Sequence, residues 1–319
     1  MNNIHDIVII GGGPAGLTAG LYAARARMNV SLLEKAMPGG QILITDRVEN
    51  FPGFPDGVSG PELGALMEKQ ALHFGLSIKI CDVSGVVPAS SGKPFGKAYG
   101  IKLSDGNILQ TLSVIVATGA GWNQLGIPGE KELTGRGVSY CATCDGPLFR
   151  GKEVIVVGGG DTALEDGLFL AKFAKKVTIV HRRDRFRAAR ILQERASANK
   201  NVEFCMNSIA LEVMGKNKVE GLKVKDVKSA DVKEIKADGV FIFIGITPNS
   251  DIVKTIVKTD EKGYIITGDD MNASVEGIFA CGDVRKKLLR QVVTATGEGA
   301  SAAVSAQNYV ERLKGIEYK

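Results

Sequence analysis

Short unbroken apolar runs alternate along the chain with longer stretches in which apolar positions recur every three or four residues. Asp6–Ile10 is such a run, and it leads directly into Gly11-Gly12-Gly13-Pro14-Ala15-Gly16. The pattern predicts a buried strand, a glycine turn, a helix continuing through about Arg27 and a second strand from Val30 to Glu34. The succession then returns as strand Glu153–Val157, turn Gly158-Gly159-Gly160-Asp161-Thr162-Ala163, a helix to about Phe173 and strand Lys176–Val180. Each copy runs on through β-rich sequence to a closing strand of like punctuation, Val114–Gly119 in the first and Val240–Gly245 in the second. Two similar units in tandem imply an α/β protein with two Rossmann-like dinucleotide-binding domains, not one larger sheet.

The last stretch is too short for a third domain. Gly277–Asp283 reads as a strand ending in an acid-bearing loop, and an amphipathic helix follows from about Thr294 to Leu313. This segment completes the first domain, so the second is inserted into it. The expected boundaries are 1–119 and 248–319 for the split domain and 120–247 for the inserted one. The chain crosses between them near Gly119–Gly121 and Gly245–Ser250, and two short crossings make a hinge.

Both glycine turns have the spacing of a dinucleotide site. In GxGxxG the first glycine (Gly11) allows the tight turn, the second (Gly13) lets backbone N–H groups reach a pyrophosphate, and the third (Gly16) lets helix and strand pack closely. Gly158, Gly160 and Ala163 repeat the plan. The ends of the second strands separate the ligands. Glu34 stands 18 residues after Gly16, and His181 stands 18 residues after Ala163. A carboxylate there accepts hydrogen bonds from both ribose hydroxyls of an adenosine. The second copy instead reads His181-Arg182-Arg183, with Arg185, Arg187 and Arg190 close behind. Guanidinium forks suit a 2′-phosphate. The first domain is therefore expected to take FAD or NAD and the second NADPH. Asp283, at a strand-to-helix junction, suits a ribityl chain and pyrophosphate.

Just ahead of the second fingerprint lies Cys141-Ala142-Thr143-Cys144-Asp145. Cysteines two residues apart can close a small disulfide or present a reactive thiolate, and Asp145 is placed to move a proton as the disulfide opens. Zinc competes poorly, because the chain has no second CxxC and its three histidines (His5, His73, His181) lie far off in sequence. Cys81, Cys205 and Cys281 sit in apolar, strand-like contexts and read as core residues. Five cysteines with only two close together argue for a reducing cytoplasm over a secreted disulfide scaffold. The net charge of +5 is spread out apart from 181–190, which disfavours a nucleic-acid surface. No segment approaches the ~20 apolar residues of a membrane span. The 40 glycines are dispersed, as repeated close approaches of backbone require.

These residues together resemble the low-molecular-weight, bacterial-type thioredoxin reductases across essentially the whole chain. The pieces that carry the resemblance are GGGPAG at 11–16, GGQI at 39–42, ENFPGFP at 49–55, ATGA at 117–120, CATCDG at 141–146, GGGDTA at 158–163, HRRDRFRA at 181–188, CGDV at 281–284 and RQV at 290–292. CATCDG and HRRDRFRA are the specific ones; many flavoproteins share the rest. The resemblance implies a homodimeric flavoenzyme in which NADPH reduces FAD, FAD reduces a Cys141–Cys144 disulfide, and the dithiol reduces thioredoxin or a thioredoxin-like protein. It implies too that the NADPH domain, which carries the dithiol, rotates to bring nicotinamide and dithiol to the flavin in turn. FAD contacts would fall on Gly11, Gly13, Gly16, Glu34, Gly40, Gln41, Asn50, Asp283, Arg290 and Gln291. NADPH contacts would fall on Gly158, Gly160, Asp161, Thr162, His181, Arg182, Arg183 and Arg187.

The sequence departs from the family pattern twice. Pro147-Leu148 precede Phe149 where the family commonly has an aromatic pair that helps dock thioredoxin, and Trp122-Asn123-Gln124 replace a Pro-Arg often seen after ATGA. Both bear on which protein disulfide is accepted. The competing readings are a dithiol oxidase of the same architecture, a reductase of glutaredoxin-like or peroxiredoxin-like partners, and a nucleotide-sensing protein without catalysis. The intact arginine cluster counts against the oxidase, and the intact CATCDG against the sensor.

Overall fold

A computed structural model describes residues 4–45, 48, 50–92, 96–140 and 142–316. The chain opens with β1 (His5–Ile10), α1 (Pro14–Arg25) and β2 (Val30–Glu34), then α2 (Gly60–His73) and β3 (Ser77–Ile80). An antiparallel meander follows, β4 (Val83–Gly92), β5 (Gly96–Leu103) and β6 (Ile108–Val116), and then the short β7 (Ala120–Trp122). Next come β8 (Val138–Ser139), α3 (Ala142–Asp145), β9 (Glu153–Gly158), α4 (Asp161–Leu170), β10 (Lys176–Val180), α5 (Arg190–Ala198) and β11 (Val202–Cys205). The chain continues through β12 (Ser208–Met214), β13 (Gly221–Asp226), β14 (Val232–Lys236), β15 (Gly239–Phe243) and β16 (Ile246–Pro248). It closes with β17 (Ile278–Ala280) and α6 (Val292–Lys314).

Two compact units result, Met1–Gly121 with Thr247–Lys319, and Trp122–Ile246. In the first, β3, β2, β1 and β6 lie side by side in parallel, β17 joins the far end of β6, and β4–β5 continue the sheet beside its near end. The second unit has a parallel sheet in the order β11-β10-β9-β15-β8 and a small antiparallel sheet β12-β13-β14. The connecting strands β7 and β16 pair as a two-stranded ribbon. The fold is α/β with parallel sheets, as the alternating pattern predicts.

The central strands carry apolar side chains on both faces because both faces are covered. Ile7, Val8 and Ile9 are fully buried, and so are Ile155 and Val156 in the equivalent strand. The helices that cover them lie very close. A Cβ on Gly299 of α6 would stand 2.2 Å from the carbonyl oxygen of Ala15, and one on Gly20 would stand 2.5 Å from Leu76. Small residues on facing helices let α1 and α6 run together over the sheet, so that Gly13 and Gln291, which precede the two helices, belong to one face of the unit.

Element ends differ from expectation where a local hydrogen bond or dihedral decides. α1 stops at Arg25 because Arg27 adopts φ 60°. α4 stops at Leu170, and 171–174 continue as tighter turns, with Lys172 and Phe173 N–H bonded three residues back to Phe169 and Leu170. α6 begins two residues before the expected Thr294, because Gln291 and Thr294 form a reciprocal cap. Cys205 and Cys281 are buried as expected, whereas Cys81 is only half-buried, in the turn after β3.

Gly299→Ala is expected to lower stability by about 1–3 kcal/mol, since a backbone oxygen cannot swing aside. Gly297→Ala, where a Cβ would meet nothing within 4 Å, is expected to be neutral or to gain up to about 1 kcal/mol. Denaturation midpoints of the two variants check the contrast.

Candidate active site

In the first unit the glycine turn is built by backbone contact. Gly11 has φ 106°, and a Cβ on it would stand 2.4 Å from the carbonyl oxygen of Ala117, at the end of β6. A Cβ on Gly16 would stand 1.8 Å from the oxygen of Gly11. At Gly13, by contrast, the nearest atom to a Cβ is Gly40 Cα at 4.0 Å, which leaves open the place from which a phosphate reaches the start of α1. Gly40 holds φ 59°, and the loop it belongs to is tied down by Gly39 N–H donating to Gly12 O at 2.7 Å. Glu34, at the end of β2, accepts the Gly12 N–H at 2.6 Å and the Ala36 N–H at 3.0 Å. Each oxygen keeps a lone pair for a further donor.

The rest of this unit's site comes from distant segments. Gln41 donates to the Ala120 carbonyl at 2.5 Å. Asn50 donates to Gln291 Oε1 at 2.9 Å, joining an exposed loop to the cap of α6. Asp283 lies in the turn after β17 and pairs with Lys287 at 3.0 Å. The Arg290 guanidinium stacks over the Tyr264 ring at 4.1 Å. Asp283 Oδ1 is buried with the Lys287 ammonium as its partner, and Arg290 Nε is buried without a hydrogen-bond partner among the described residues. A buried unpartnered donor on Arg290, with a buried carboxylate at Asp283 and an open glycine turn, fits a polar ligand carrying hydroxyls and a diphosphate.

The second unit repeats the turn with other chemistry. A Cβ on Gly158 would meet the Phe243 oxygen at 2.4 Å, while one on Gly160 would meet nothing within 4 Å. Where Glu34 meets Gly12, the His181 ring lies under Gly159, at 2.2 Å from the place of a Cβ. His181 is buried, stacks on Phe186 with ring centres 5.4 Å apart, and has Nε2 3.1 Å from the Arg185 carbonyl. Burial holds its pKa below the usual histidine value, and the nearby Arg183 and Arg187 charges act in the same direction. Arg187 N–H donates to Gly159 O at 2.8 Å, and Ala189 N–H to Asp161 Oδ1 at 2.6 Å. These bonds fold 182–189 back over the glycine turn, with the Arg182, Arg183 and Arg187 side chains exposed and Thr162 exposed beside them. The segment is a loop; helix begins only at Arg190.

The dithiol segment is docked on the same unit. Cys141 lies outside the described residues, as does the Cys144 side chain, although the Cys144 backbone belongs to α3. Ala142 is buried in the core of this unit, and a Cβ on Gly146 would meet Leu170 of α4 at 3.1 Å. Asp145 is half-buried. Phe149 is buried edge-on against Phe241, while Leu148 beside it is 68% exposed. Of this pair only Leu148 presents its side chain to solvent, because Phe149 serves the core. Among the described residues no group of three or more His, Cys, Asp or Glu side chains could hold a metal ion.

A family model described as pyridine nucleotide-disulphide oxidoreductase matches residues 5–299. The chain belongs to this family. It is 48% identical to the thioredoxin reductase of Bacillus subtilis (strain 168) over 98% of this chain and 96% of that protein. The thioredoxin reductase of Listeria monocytogenes is 46% identical over 98% and 95%. Among solved structures, thioredoxin reductase from Lactococcus lactis superposes with a TM-score of 0.91 at 43% identity, over 97% of this chain and 99% of that one. The enzyme from T. acidophilum gives 0.89 at 34% identity, over 97% and 98%. The family and the solved relatives agree with the fold described above.

In the first unit, the turn residues Gly11, Gly13, Gly16, Glu34 and Gly40 lie together, Asn50 meets Gln291, and Gln41 is bonded to Ala120. In the second, Asp161 and His181 meet the arginine loop, which is also bonded to Gly159, between Gly158 and Gly160. Sequence reasoning missed Arg285, Lys287 and Glu298, which bracket Asp283, and Asp166 of α4, whose carboxyl is pushed up to about 7 by burial, with Glu165 adding. An acid and a base spaced along a loop and a helix carry no sign of burial in their own letters.

His181 supplies a pH test. Its folded pKa lies below the unfolded value of about 6.5, so the stability it contributes is present above that pH and is lost as pH falls through and below it. His181→Asn is expected to flatten the decline of the urea midpoint between about pH 7 and 5. The other lowered histidine, His5, is common to both proteins and cancels in the comparison. Parallel profiles would remove the buried neutral ring from the account.

Proposed function

We propose that this chain is a thioredoxin-disulfide reductase in which the split unit, 1–119 with 248–319, holds FAD and the inserted unit, 120–247, holds NADPH. The observation that carries the reading is the contrast between two like glycine turns. One is closed by the Glu34 carboxylate, the other by the buried His181 ring beneath exposed Arg182, Arg183 and Arg187. The carboxylate would hold the ribose hydroxyls of FAD and the guanidinium groups the 2′-phosphate of NADPH.

Bound FAD would supply the two-electron relay between the nicotinamide and the Cys141–Cys144 disulfide. Glu34, Asn50, Asp283, Arg290 and Gln291 would bind and orient it, and Gly13 would leave room for its diphosphate. Opening the disulfide takes two electrons and two protons, and Asp145 follows Cys144 directly, in place to deliver one of them. The dithiol then passes its electrons and protons to the disulfide of thioredoxin by exchange through a mixed disulfide, which closes Cys141–Cys144 again. The relatives named as thioredoxin reductases support this substrate, and the enzyme is proposed to act as a homodimer in the cytoplasm. No helix among the described residues is long and apolar enough to cross a membrane.

An anaerobic visible spectrum titrated with NADPH and then with oxidised thioredoxin tests the whole sequence. The flavin band is expected to bleach and then to return; bleaching without return would point to another disulfide partner. Cys144→Ser is expected to leave the NADPH bleaching intact and to abolish thioredoxin reduction, and retained reduction would dispose of the dithiol assignment. Replacing Arg182 and Arg183 together with Ala is expected to weaken NADPH at least tenfold more than NADH, from the loss of two charge-assisted contacts of ~1.5–3 kcal/mol each. Steady-state KM values for the two nucleotides give that ratio.

A further inference from the structure

Between Asp283 and helix α6 lies a cluster of charged side chains that the nucleotide reading leaves unused. Lys287 has only 7% of its side chain exposed, and its Nζ stands 3.0 Å from Asp283 Oδ1 and 3.2 Å from Glu298 Oε2. Glu298, 13% exposed, pairs through its other oxygen with Arg285 at 3.0 Å and accepts the Gly282 N–H at 2.8 Å. Arg285 spends its Nε on Thr267 Oγ1 at 2.8 Å. Lys287 also lies 3.5 Å from Thr294 Oγ1, the hydroxyl that caps the Gln291 N–H at the start of α6.

One ammonium group thus touches the turn that carries Asp283, the second turn of α6 and the cap that fixes Gln291. The surroundings are dry: the Cys281 thiol is pushed up to about 12 by its burial, with the Glu298 charge adding. Removing a cation so buried would leave two carboxylates facing each other without their shared partner. The Arg285–Glu298 pair and the Gly282 N–H already fasten the turn to α6. Among the described residues, only Lys287 forms an ion pair with Asp283.

We infer that Lys287 is a positioning residue of the flavin site. It aims Asp283 and the Gln291 end of α6 at the ligand, and it cancels the charge of two carboxylates that would otherwise repel a diphosphate. This rests on the assignment of FAD to the split unit, and the charge argument separates it from a packing role. Loss of the cation and loss of a carboxylate should act in opposite directions, whereas a mere fastener weakens whichever end is removed.

The test is the FAD dissociation constant of the purified full-length protein, measured from flavin released into the filtrate on serial dilution. Wild type comes first: a protein that holds no FAD would remove the flavin assignment and this inference with it. Given a wild type that holds FAD, Lys287→Met is expected to weaken it by about tenfold or more, and Lys287→Arg to bring it back to within about threefold. Glu298→Gln keeps an acceptor for Gly282 and deletes one negative charge; it is expected to hold FAD at least as tightly as wild type. If Lys287→Met does not fold, Glu298→Gln decides alone, because a tenfold loss there would overturn the inference. So would a Lys287→Met protein within about twofold of wild type, or equal weakening by both variants.

Discussion

A Cβ on Gly16 would stand 1.8 Å from the carbonyl oxygen of Gly11, and one on Gly158 would stand 2.4 Å from that of Phe243. In both units, then, the strand, the turn and the helix approach until backbone meets backbone. That approach sets the start of α1 and of α4 directly beyond the end of a buried central strand. The second glycine of each turn is the one whose Cβ would meet no atom nearer than 4.0 Å, which leaves the N–H groups at the helix start accessible. Everything added later in the chain is placed relative to that opening. The Gly39-Gly40 loop is tied to Gly12, the arginine loop to Gly159, and α6 lies along α1 through Gly299.

The glycine turns and the strands beside them were legible because their cause is local. A glycine with φ above 100° at Gly11, a fully apolar strand before it and a periodic helix after it are all written in adjacent letters. The ligand contrast was legible for the same reason, since Glu34 and His181 occupy equal steps from their turns. The resemblance to thioredoxin reductases supplied residues no local pattern could reach, among them Asn50, Arg290 and Gln291. The geometry gives these a common cause: Asn50 and Gln291 meet across 241 positions of sequence by one hydrogen bond.

What sequence could not show is where charge goes underground. Glu130 and Glu298 are ordinary acids in a chain with 35 of them. Glu130 is 3% exposed and accepts the N–H groups of Leu125, Gly126 and Ile127 together with the Tyr140 hydroxyl. Its burial is satisfied by a turn that exists only once the unit is folded. Lys287 is satisfied by partners 4 and 11 residues away that come together only when α6 packs on the turn after β17. Such groups are set by tertiary structure, and composition or spacing cannot distinguish them from solvated surface charge.

The two units therefore solve one electrostatic problem by different means. A diphosphate beside a helix start is favoured by the helix dipole, but each unit also needs a side chain at the strand end to choose the nucleotide. The inserted unit places an uncharged, buried ring there and moves its cations outward onto a loop pinned by Asp161 and Gly159. The split unit instead places a carboxylate there and another at Asp283, and on the proposed assignment both would lie near the diphosphate of FAD. Two anions facing a third are tolerable only with cations nearby. Lys287, Arg285 and Arg290 are those cations, and two of the three are held by Glu298 from a helix that reaches the site late in the sequence. On the proposed assignment, the return of the chain to its first unit after 246 therefore brings both a strand for the sheet and the cations that balance Asp283 and Glu298.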